Sequence, residues 1–315
     1  MKRIAAIAVA FILVAAATPD PFHRRLPEGV APPAIPADNP ISDARIALGR
    51  RLFYDADLSV DGTMACATCH EQRRGFADGN ATHAGVHGDP GRRNVPGLAN
   101  VAWRRSLTWG DPRVTTLEAQ VPIPLTGQSP VEMGMAGKEV ELRRRLRRDA
   151  CYRTMFRAAF PETRGRIDQA AVAKALAAFQ RTFVSFDAPI DRGEAPAAGA
   201  AIFAAKCATC HAGHDFTDDR FHRLRPSAPA DRGLGEVTGR VGDDGAFRTP
   251  SLRNVGVTGP WLHDGSAATL DQALMAHPDA DPADTPALIA FLAALTDDAF
   301  LANPALGYPD DICRR

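Results

Sequence analysis

The chain has 315 residues, and its 37 lysines and arginines balance its 37 aspartates and glutamates, so the formal net charge is zero. This balance argues against nucleic acid or a bulk anionic membrane as the partner, because both attract strongly basic surfaces. The length is enough for about two domains of ordinary size.

The first residues have the pattern of a secretory signal peptide. Lys2 and Arg3 precede an apolar run from Ile4 to Val14, and alanines follow at 15–17. The run is shorter than the roughly 20 apolar residues that a typical membrane-spanning helix needs. We therefore expect residues 1–18 to be a cleaved signal peptide and the mature protein to be periplasmic, with an uncleaved anchor as the alternative.

Apolar spacing predicts helices in the order in which they occur along the chain. A first helix should begin at Ser42 or Asp43, because either side chain can cap it. A segment rich in Ala, Pro and Gly at 193–199 is typical of a linker, and the arginines at 143–148 are interpreted as a solvated helix face rather than a docking patch. The later helical stretches are Val140–Phe160, Ile167–Phe186, Ala197–Ala205 and, as the last helix, Pro286–Leu295.

Two Cys-X-X-Cys-His pentads are the most informative motifs of the chain. This pattern is the attachment signature of c-type haem, in which two thiols form thioethers with the porphyrin and the histidine becomes the proximal iron ligand. A zinc site is the alternative, but neither pentad has the second cysteine pair nearby that such sites usually carry. The sequence therefore predicts two covalent haems, held by Cys66, Cys69 and His70 and by Cys207, Cys210 and His211.

The second half of the chain repeats the organisation of the first. A helical stretch leads into each pentad, and a short segment with phenylalanine and aspartate follows it, at Gly75–Asp78 and at Asp215–Asp218. Such a repeat indicates duplication. We predict a mostly α fold of two cytochrome c-like haem domains, with residues 19–192 forming the N-terminal domain and residues 193–315 the C-terminal domain.

Two cysteines, Cys151 and Cys313, lie outside the pentads. In an oxidising compartment they could form a disulfide. The sequence does not give the distance between them, so two unpaired thiols remain the alternative.

Several segments of the second half identify a family. Pro250–Val255, Thr258–Gly265 and Ala268–Leu270, together with the two pentads, resemble the bacterial dihaem cytochrome c peroxidase and MauG family. The resemblance covers nearly all of the mature chain. Pro130–Gly134 and Leu295–Leu301 are most similar to the MauG-related, methanobactin-associated branch (MbnH-like).

The resemblance implies a division of labour between the two haems. Peroxide would react at the N-terminal haem, whose proximal ligand would be His70, and the C-terminal haem would relay electrons. Gln120 and Pro124 match the distal pocket, and Glu132 matches the acid that helps to break the O–O bond by moving a proton. Glu118 competes for the acid role, and Glu132 could instead only stabilise a helix start.

Further residues are assigned by the same resemblance. Trp109 matches the tryptophan that carries electrons between the haems, although most tryptophans are simply core residues. Asn94, Thr258 and Pro260 match an interdomain calcium site of hard oxygen ligands, although turns are the commonest place for an asparagine. His263 matches a histidine that contacts a haem propionate.

The second haem departs from the peroxidase pattern in its distal ligand. The peroxidases use methionine there and MauG uses tyrosine, whereas the best match in this chain is His277. Met275 is two residues away and would point to another side of a helix, so only one of them can face the iron. Imidazole favours the ferric state more than a thioether does, which shifts the interpretation toward MauG-like chemistry.

Two other departures concern the routes into and out of the haem sites. Many of the peroxidases place a histidine over the resting peroxide haem. Here His87 is out of that register, so His83 and His87 are expected to be solvent-exposed and the first haem to be open and five-coordinate. Ala205 occupies the place of the tryptophan that MauG uses just before its second pentad. The exit route for electrons should therefore differ.

These features support three functions. The first is a peroxide-using dihaem oxidoreductase that oxidises a protein partner at tryptophan or tyrosine. The second is a cytochrome c peroxidase that reduces hydrogen peroxide with electrons from a small cytochrome or cupredoxin. The third is a dihaem electron carrier without enzymatic activity, which would leave the distal carboxyl and amide unexplained. The sequence leaves the protein partner and the oligomeric state open.

Overall fold

A computed structural model describes residues 26–224 and 231–309, so the predicted signal peptide (residues 1–18) and Cys313 lie outside the described residues. Helices dominate, which confirms the predicted mostly α fold, and no helix of the described part is long and apolar enough to cross a membrane. Strand β1 (Phe221–His222) pairs antiparallel with β2 (Phe247–Arg248). The helices are α1 (Asp43–Phe53), α2 (Cys66–Cys69), α3 (Leu117–Gln120), α4 (Pro122–Thr126), α5 (Glu139–Arg148), α6 (Ala150–Ala159), α7 (Gln169–Gln180), α8 (Ala197–Lys206), α9 (Gly235–Thr238), α10 (Leu270–Met275), α11 (Thr285–Ala293) and α12 (Asp298–Leu301).

Helix α1 begins where the sequence predicts. Ser42 is its N-cap, with an extended backbone and a side chain that accepts the N–H of Arg45, which satisfies a donor that the first turn leaves unpaired. The buried face carries Leu48, Leu52 and Phe53. This face packs mainly against α7.

The predicted helix Val140–Phe160 is wrong as a single element. Asp149 interrupts it with an extended backbone, and its carboxylate accepts the N–H of Cys151 at 2.7 Å, so that it caps α6. Apolar spacing continues through this break, which is why the spacing alone missed it. The arginine face of α5 is solvent-exposed at four of its positions, as predicted.

Three other predicted boundaries also differ. The stretch Ile167–Phe186 is helical only in α7, because the chain turns after Gln180. The predicted last helix corresponds to α11, but α12 follows it. In the predicted linker, Gly193 ends a turn with a φ of +79°, whereas Gly199 already lies inside α8.

The buried apolar side chains form two clusters. The larger joins α1, α6 and α7 with parts of α3, α4, α5 and α12, and the smaller is built on α8 and α11. Phe53 meets Phe179 edge-on in the first, with ring centroids 5.5 Å apart. Phe203 stacks on Phe291 in the second, with centroids 4.6 Å apart. Each pentad follows a helix of one cluster.

A glycine allows the two main helices of each cluster to cross closely. A Cβ on Gly49 of α1 would lie 1.9 Å from the carbonyl oxygen of Ala175 in α7. A Cβ on Gly199 of α8 would lie 2.2 Å from the carbonyl oxygen of Ala287 in α11. Both distances are far below van der Waals contact, so only glycine fits. The same crossing thus occurs twice, in agreement with a duplicated unit.

Four buried polar residues connect the chain segments of the two clusters, and we call them the polar joint: Asn100, Ser185, Asn254 and Asp297. Asn100 accepts the N–H of Ser185 at 2.8 Å and donates to its carbonyl oxygen at 3.1 Å. Asn254 donates to the Ser185 hydroxyl at 3.0 Å and accepts the N–H of Asp297 at 2.8 Å. None is more than 2% exposed. Every hydrogen bond here therefore forms away from water, where an unpaired group is costly.

Replacing Gly49 by alanine should lower the free energy of unfolding by about 3 kcal/mol, the upper part of the range for overpacking, because the new methyl group would overlap backbone atoms. Gly242→Ala is the matched control, since nothing lies within 4 Å of a Cβ there. Denaturant titration of the holoprotein measures both variants. Equal stability of the two variants would contradict the close crossing of α1 and α7.

Candidate active site

The first pentad places His70 directly after α2. Its Nδ1 lies 2.6 Å from the carbonyl oxygen of Phe76, so Nδ1 carries the proton and Nε2 is left for another partner. Burial lowers the pKa of His70. The ring is therefore neutral, which is the form that binds a metal ion.

His70 lines a cavity together with both cysteines of its pentad. Two thiols and a free imidazole nitrogen on one largely apolar wall suit a haem that is attached by thioethers. The structure also brings together at this cavity the residues that the resemblance assigns to the peroxide site, and these are Gln120, Pro124, Glu132 and Trp109.

Main-chain hydrogen bonds fix Glu132 on the cavity wall. The next residue, Met133, donates its N–H to the carbonyl oxygen of Pro124 at 3.0 Å and accepts the N–H of Val60 at 2.9 Å. The Glu132 carbonyl accepts the N–H of Val86 at 2.8 Å. Burial raises the pKa of the Glu132 carboxyl, a shift that the nearby His83 opposes. A carboxyl with a raised pKa is suited to hold and release a proton.

Glu118, the competing carboxylate, has a structural role. Arg181 donates to both of its oxygens, at 2.7 and 2.9 Å, and Asn39 donates a further hydrogen bond. Burial would raise the pKa of Glu118, but the hydrogen bonds from Arg181 and Asn39 outweigh it and hold the pKa below its usual range. A carboxylate that is ionised and saturated with donors is a poor proton source, so the geometry favours Glu132 as the acid.

Trp109 lies between the cavity and the second half of the chain. Its indole N–H donates to the carbonyl oxygen of Asn94 at 2.9 Å, and its own carbonyl accepts the N–H of Arg248 in β2 at 2.9 Å. The side chain is buried. Trp109 thus lines the cavity and is bonded to a strand that follows the second pentad.

The three calcium candidates come from two segments that meet beside Trp109. Asn94 donates its N–H to the carbonyl oxygen of His263 at 2.8 Å, and Thr258 and Pro260 lie in the same segment as His263. A Cβ on Gly97, three residues after Asn94, would lie 3.1 Å from the methyl group of Thr258, so the contact between the segments is close. The amide nitrogen of Asn94 donates to two loop carbonyls, which leaves its amide oxygen for a cation.

The imidazole ring of His263 stacks on a phenylalanine of strand β2. Its ring lies parallel to that of Phe247, with centroids 3.6 Å apart and an angle of 15°. The guanidinium of Arg93 lies 5.4 Å from the centroid of the Phe247 ring. Burial lowers the pKa of His263, which favours the neutral form of this ring.

The second pentad repeats the geometry of the first. The Nδ1 of His211 lies 3.0 Å from the carbonyl oxygen of Phe216, and burial lowers the pKa of His211 to about 4. The Nδ1 of His277 lies 2.9 Å from the carbonyl oxygen of Ala273. In each ring Nε2 is therefore the nitrogen left to bind a metal.

The imidazole rings of His211 and His277 lie near each other, at a separation that would suit two ligands of one iron atom. Their ring centroids are 6.4 Å apart. Two metal–imidazole bonds of about 2 Å, extended to the ring centres, place such centroids roughly 6 Å apart. Met275, the competing ligand, is at the end of α10 and is 37% exposed. The geometry therefore favours His277 as the second axial ligand.

The prediction that His83 and His87 are both solvent-exposed is half wrong. His87 is exposed, but His83 lines the cavity and its Nδ1 lies 2.7 Å from a carboxylate oxygen of the buried Asp78. At the second pentad Asp218 likewise pairs with a histidine, His222, but through Nε2, at 2.8 Å. The repeated aspartate was visible in the sequence, but its partner depends on how the following loop folds back.

Cys151, whose state the sequence left open, is disulfide-bonded in the structure. The four cysteines of the pentads form no disulfides, so all four can form thioethers with haem.

The two carboxylates should have opposite effects on stability. Because the pKa of Glu132 is raised, its contribution to stability is present below the unfolded value of about 4.3 and is lost as the pH rises through the folded pKa. Because the pKa of Glu118 is lowered, its contribution is present above about 4.3 and is lost as the pH falls.

Glu118→Gln should therefore lower the free energy of unfolding at neutral pH by about 2–3 kcal/mol, since Arg181 is left as a buried charge without a partner. The estimate is below that for a fully buried pair because Glu118 is 18% exposed. Glu132→Gln should not lower the free energy of unfolding at neutral pH. Denaturant titrations at neutral and acidic pH measure both variants, and a loss of stability in Glu132→Gln alone would reverse the assignment.

Comparisons with known proteins identify the family. A family model described as di-haem cytochrome c peroxidase matches residues 43–195. A methylamine utilization protein MauG from Methylorubrum extorquens is 39% identical over 263 residues, which are 79% of this chain and 72% of that protein. A cytochrome c551 peroxidase from Pseudomonas aeruginosa is 30% identical over 294 residues, 86% of this chain and 82% of that protein.

One solved structure is similar over nearly its whole length. It is the crystal structure of a MauG-like protein associated with microbial copper homeostasis, which superposes with a TM-score of 0.86 at 35% identity and covers 90% of this chain and 98% of that chain. The chain therefore belongs to the di-haem cytochrome c peroxidase and MauG family and is an oxidoreductase of the peroxidase type that carries haem c.

Proposed function

We propose that this enzyme reacts with hydrogen peroxide at the His70 site and oxidises a protein partner, at tryptophan or tyrosine, through a second, low-spin haem. The observation that carries the proposal is the proximity of two imidazoles, those of His211 and His277, whose ring centroids are 6.4 Å apart. In this proposal residues 19–192 and 193–315 are the two haem domains, and a cleaved signal directs the protein to the periplasm.

In this proposal, side chains around the His70 site move a proton between the two oxygens of peroxide. When bound, haem c offers an iron that binds peroxide and accepts its oxidising equivalents. The Glu132 carboxyl moves a proton from the inner to the outer peroxide oxygen, so that water is the leaving group. The Gln120 amide lines the same cavity and would donate a hydrogen bond to peroxide there. Pro124 fixes Glu132 through the hydrogen bond between its carbonyl and Met133.

Trp109 is proposed to carry electrons between the two sites. It lines the cavity of the first site, and its carbonyl is bonded to Arg248, which lies between the second pentad and His263. Its indole N–H is occupied by the Asn94 carbonyl, which holds the ring in one orientation. We propose that Asn94, together with the carbonyls of Thr258 and Pro260, binds a calcium ion at this junction.

The second axial ligand decides between the two enzymatic functions. A methionine ligand raises the reduction potential of a haem and suits it to accept electrons from a small cytochrome. An imidazole ligand stabilises the ferric state, which suits the second site to share a high oxidation state with the first. His277 therefore favours oxidation of a protein partner over cytochrome c peroxidase activity.

The proposal is tested with the all-ferric holoprotein and one equivalent of hydrogen peroxide, without reductant. A prompt loss of the ferric spectrum, with a near-infrared band that reports charge shared between two haems, supports the proposal. A reaction that requires prior reduction of one haem, followed by oxidation of a reduced small cytochrome, would instead establish a cytochrome c peroxidase.

Glu132→Gln should slow the reaction with peroxide by about a hundredfold or more, which is the usual contribution of a positioned acid–base group. Glu139→Gln is the matched control, because Glu139 is exposed in the first turn of α5. Stopped-flow absorption measures the rate, and the haem content should not change. Unchanged kinetics in Glu132→Gln would remove Glu132 from the mechanism.

His277→Ala should convert the second haem from low spin to high spin, because it removes one of two strong axial ligands. Visible absorption and electron paramagnetic resonance at cryogenic temperature report the spin state. Met275→Leu is the control and should leave both spectra unchanged. The opposite result, with a change in Met275→Leu only, would make Met275 the ligand.

A further inference from the structure

A row of aromatic rings leads from the peroxide site to the protein surface. Phe53 lines the cavity, and its ring centroid lies 6.4 Å from that of His70. The Tyr54 ring meets Phe53 edge-on at 5.4 Å, and the Tyr308 ring meets Tyr54 edge-on at 5.7 Å. Tyr308 is 64% exposed. The row is therefore unbroken from the cavity to solvent.

The outer end of this row is fixed to α1. The guanidinium of Arg50 donates to the carbonyl oxygens of Gly307 and Pro304, at 2.7 and 2.6 Å. The phenol of Tyr54 donates to the carbonyl oxygen of Leu306 at 2.7 Å. These three hydrogen bonds hold the segment 304–308 against the helix that carries Phe53, so the contact of Tyr308 with Tyr54 is part of the fold.

The two tyrosines differ in whether a base is available to accept the phenol proton when the ring is oxidised. Tyr54 donates to a backbone carbonyl, which is a weak base, and burial raises the pKa of Tyr54 to about 12. An oxidised phenol is stable only when its proton can leave, so an oxidised Tyr54 would take an electron from its neighbour. Tyr308 is in contact with water, which can accept the proton. Oxidation should therefore end at Tyr308.

We propose that Tyr308 is a surface site of one-electron oxidation, connected to the His70 site through Phe53 and Tyr54, and that it oxidises small phenols. The proposal rests on the proposed reaction of peroxide at the His70 site. Hydrogen peroxide takes up two electrons and two protons to give two molecules of water. Each oxidation of Tyr308 sends one electron to the His70 site and releases one proton. A phenol that transfers a hydrogen atom to the oxidised Tyr308 then regenerates it. Two phenols are therefore oxidised for each peroxide.

The chain provides a matched control, because it contains only three tyrosines. The third, Tyr152, is buried, and its hydroxyl group donates a hydrogen bond to Asp55. Its ring packs against Phe156. It does not line the cavity. A Tyr152→Phe variant thus removes a tyrosine of the same fold without interrupting the row.

The experiment uses the full-length all-ferric holoprotein, hydrogen peroxide and 2-methoxyphenol as the probe. Freeze-quenched samples are examined by electron paramagnetic resonance for a tyrosyl radical, and phenol oxidation is followed at steady state. The wild type and Tyr152→Phe should show the radical and oxidise the phenol. Tyr308→Phe should lose the surface radical and most of the phenol turnover. Tyr54→Phe should show the same losses, because it removes the tyrosine that connects Phe53 to Tyr308.

Two further measurements keep the outcomes distinct. The change of haem absorption on adding peroxide should be the same in all four proteins, and Tyr308→Trp should restore phenol turnover, because an indole is also oxidised by one electron. If the haem absorption responds but phenol turnover is equal in every variant, the Tyr308 site is wrong and the proposed function stands. If the wild-type haem absorption does not respond to peroxide, the proposed function fails, and the Tyr308 site fails with it.

Discussion

The hydrogen bond from each pentad histidine to the carbonyl of a nearby phenylalanine is the interaction on which both sites depend. Phe76 and Phe216 have left-handed backbones, with φ of 65° and 52°, and this conformation aims their carbonyls at His70 and His211. It costs a non-glycine residue about 1–2 kcal/mol. Burying a phenylalanine side chain stabilises by roughly 1.5–3 kcal/mol, so the packing of the ring can offset the strain. Phe76 is fully buried and stacks on Phe183. The hydrophobic core thereby fixes which imidazole nitrogen is available to iron.

Environment, not residue type, separates the two glutamates near the peroxide site. Glu118 and Glu132 are both partly buried, but Glu118 receives two charged hydrogen bonds from Arg181, whereas burial is the largest influence on Glu132 and His83 opposes it. The pKa of Glu118 is therefore lowered, which favours an anion that stabilises the fold, and the pKa of Glu132 is raised, which favours its protonated form. A carboxyl with a raised pKa must lack such a strong partner, and in this fold Arg181 is paired with Glu118.

Much of the site could be predicted from the sequence because short, contiguous motifs specify it. The pentads predict haem c directly, because the motif is the one that attaches it. The cavity residues Gln120, Pro124 and Glu132 were predicted from the family motif. His83 was not, because its position depends on a buried aspartate and on the course of the loop that follows. The break between α5 and α6 was missed for a related reason. Asp149 uses its side chain to cap α6, a local choice that apolar spacing does not report.

The polar joint constrains how the two halves can work together. Opening it would leave buried donors and acceptors of Asn100, Ser185, Asn254 and Asp297 without partners, at a cost of about 1–3 kcal/mol for each group. Trp109 lies between the halves with both its indole N–H and its carbonyl bonded, so it also resists displacement. The distance between the two sites is therefore a fixed property of the fold. In the proposed mechanism, with this distance fixed, the ligands of the second iron and the proton donor at the first site determine what the enzyme oxidises. The roles proposed for His277 and Glu132 would then decide whether this fold reduces peroxide with electrons from a small cytochrome or uses peroxide to oxidise another protein.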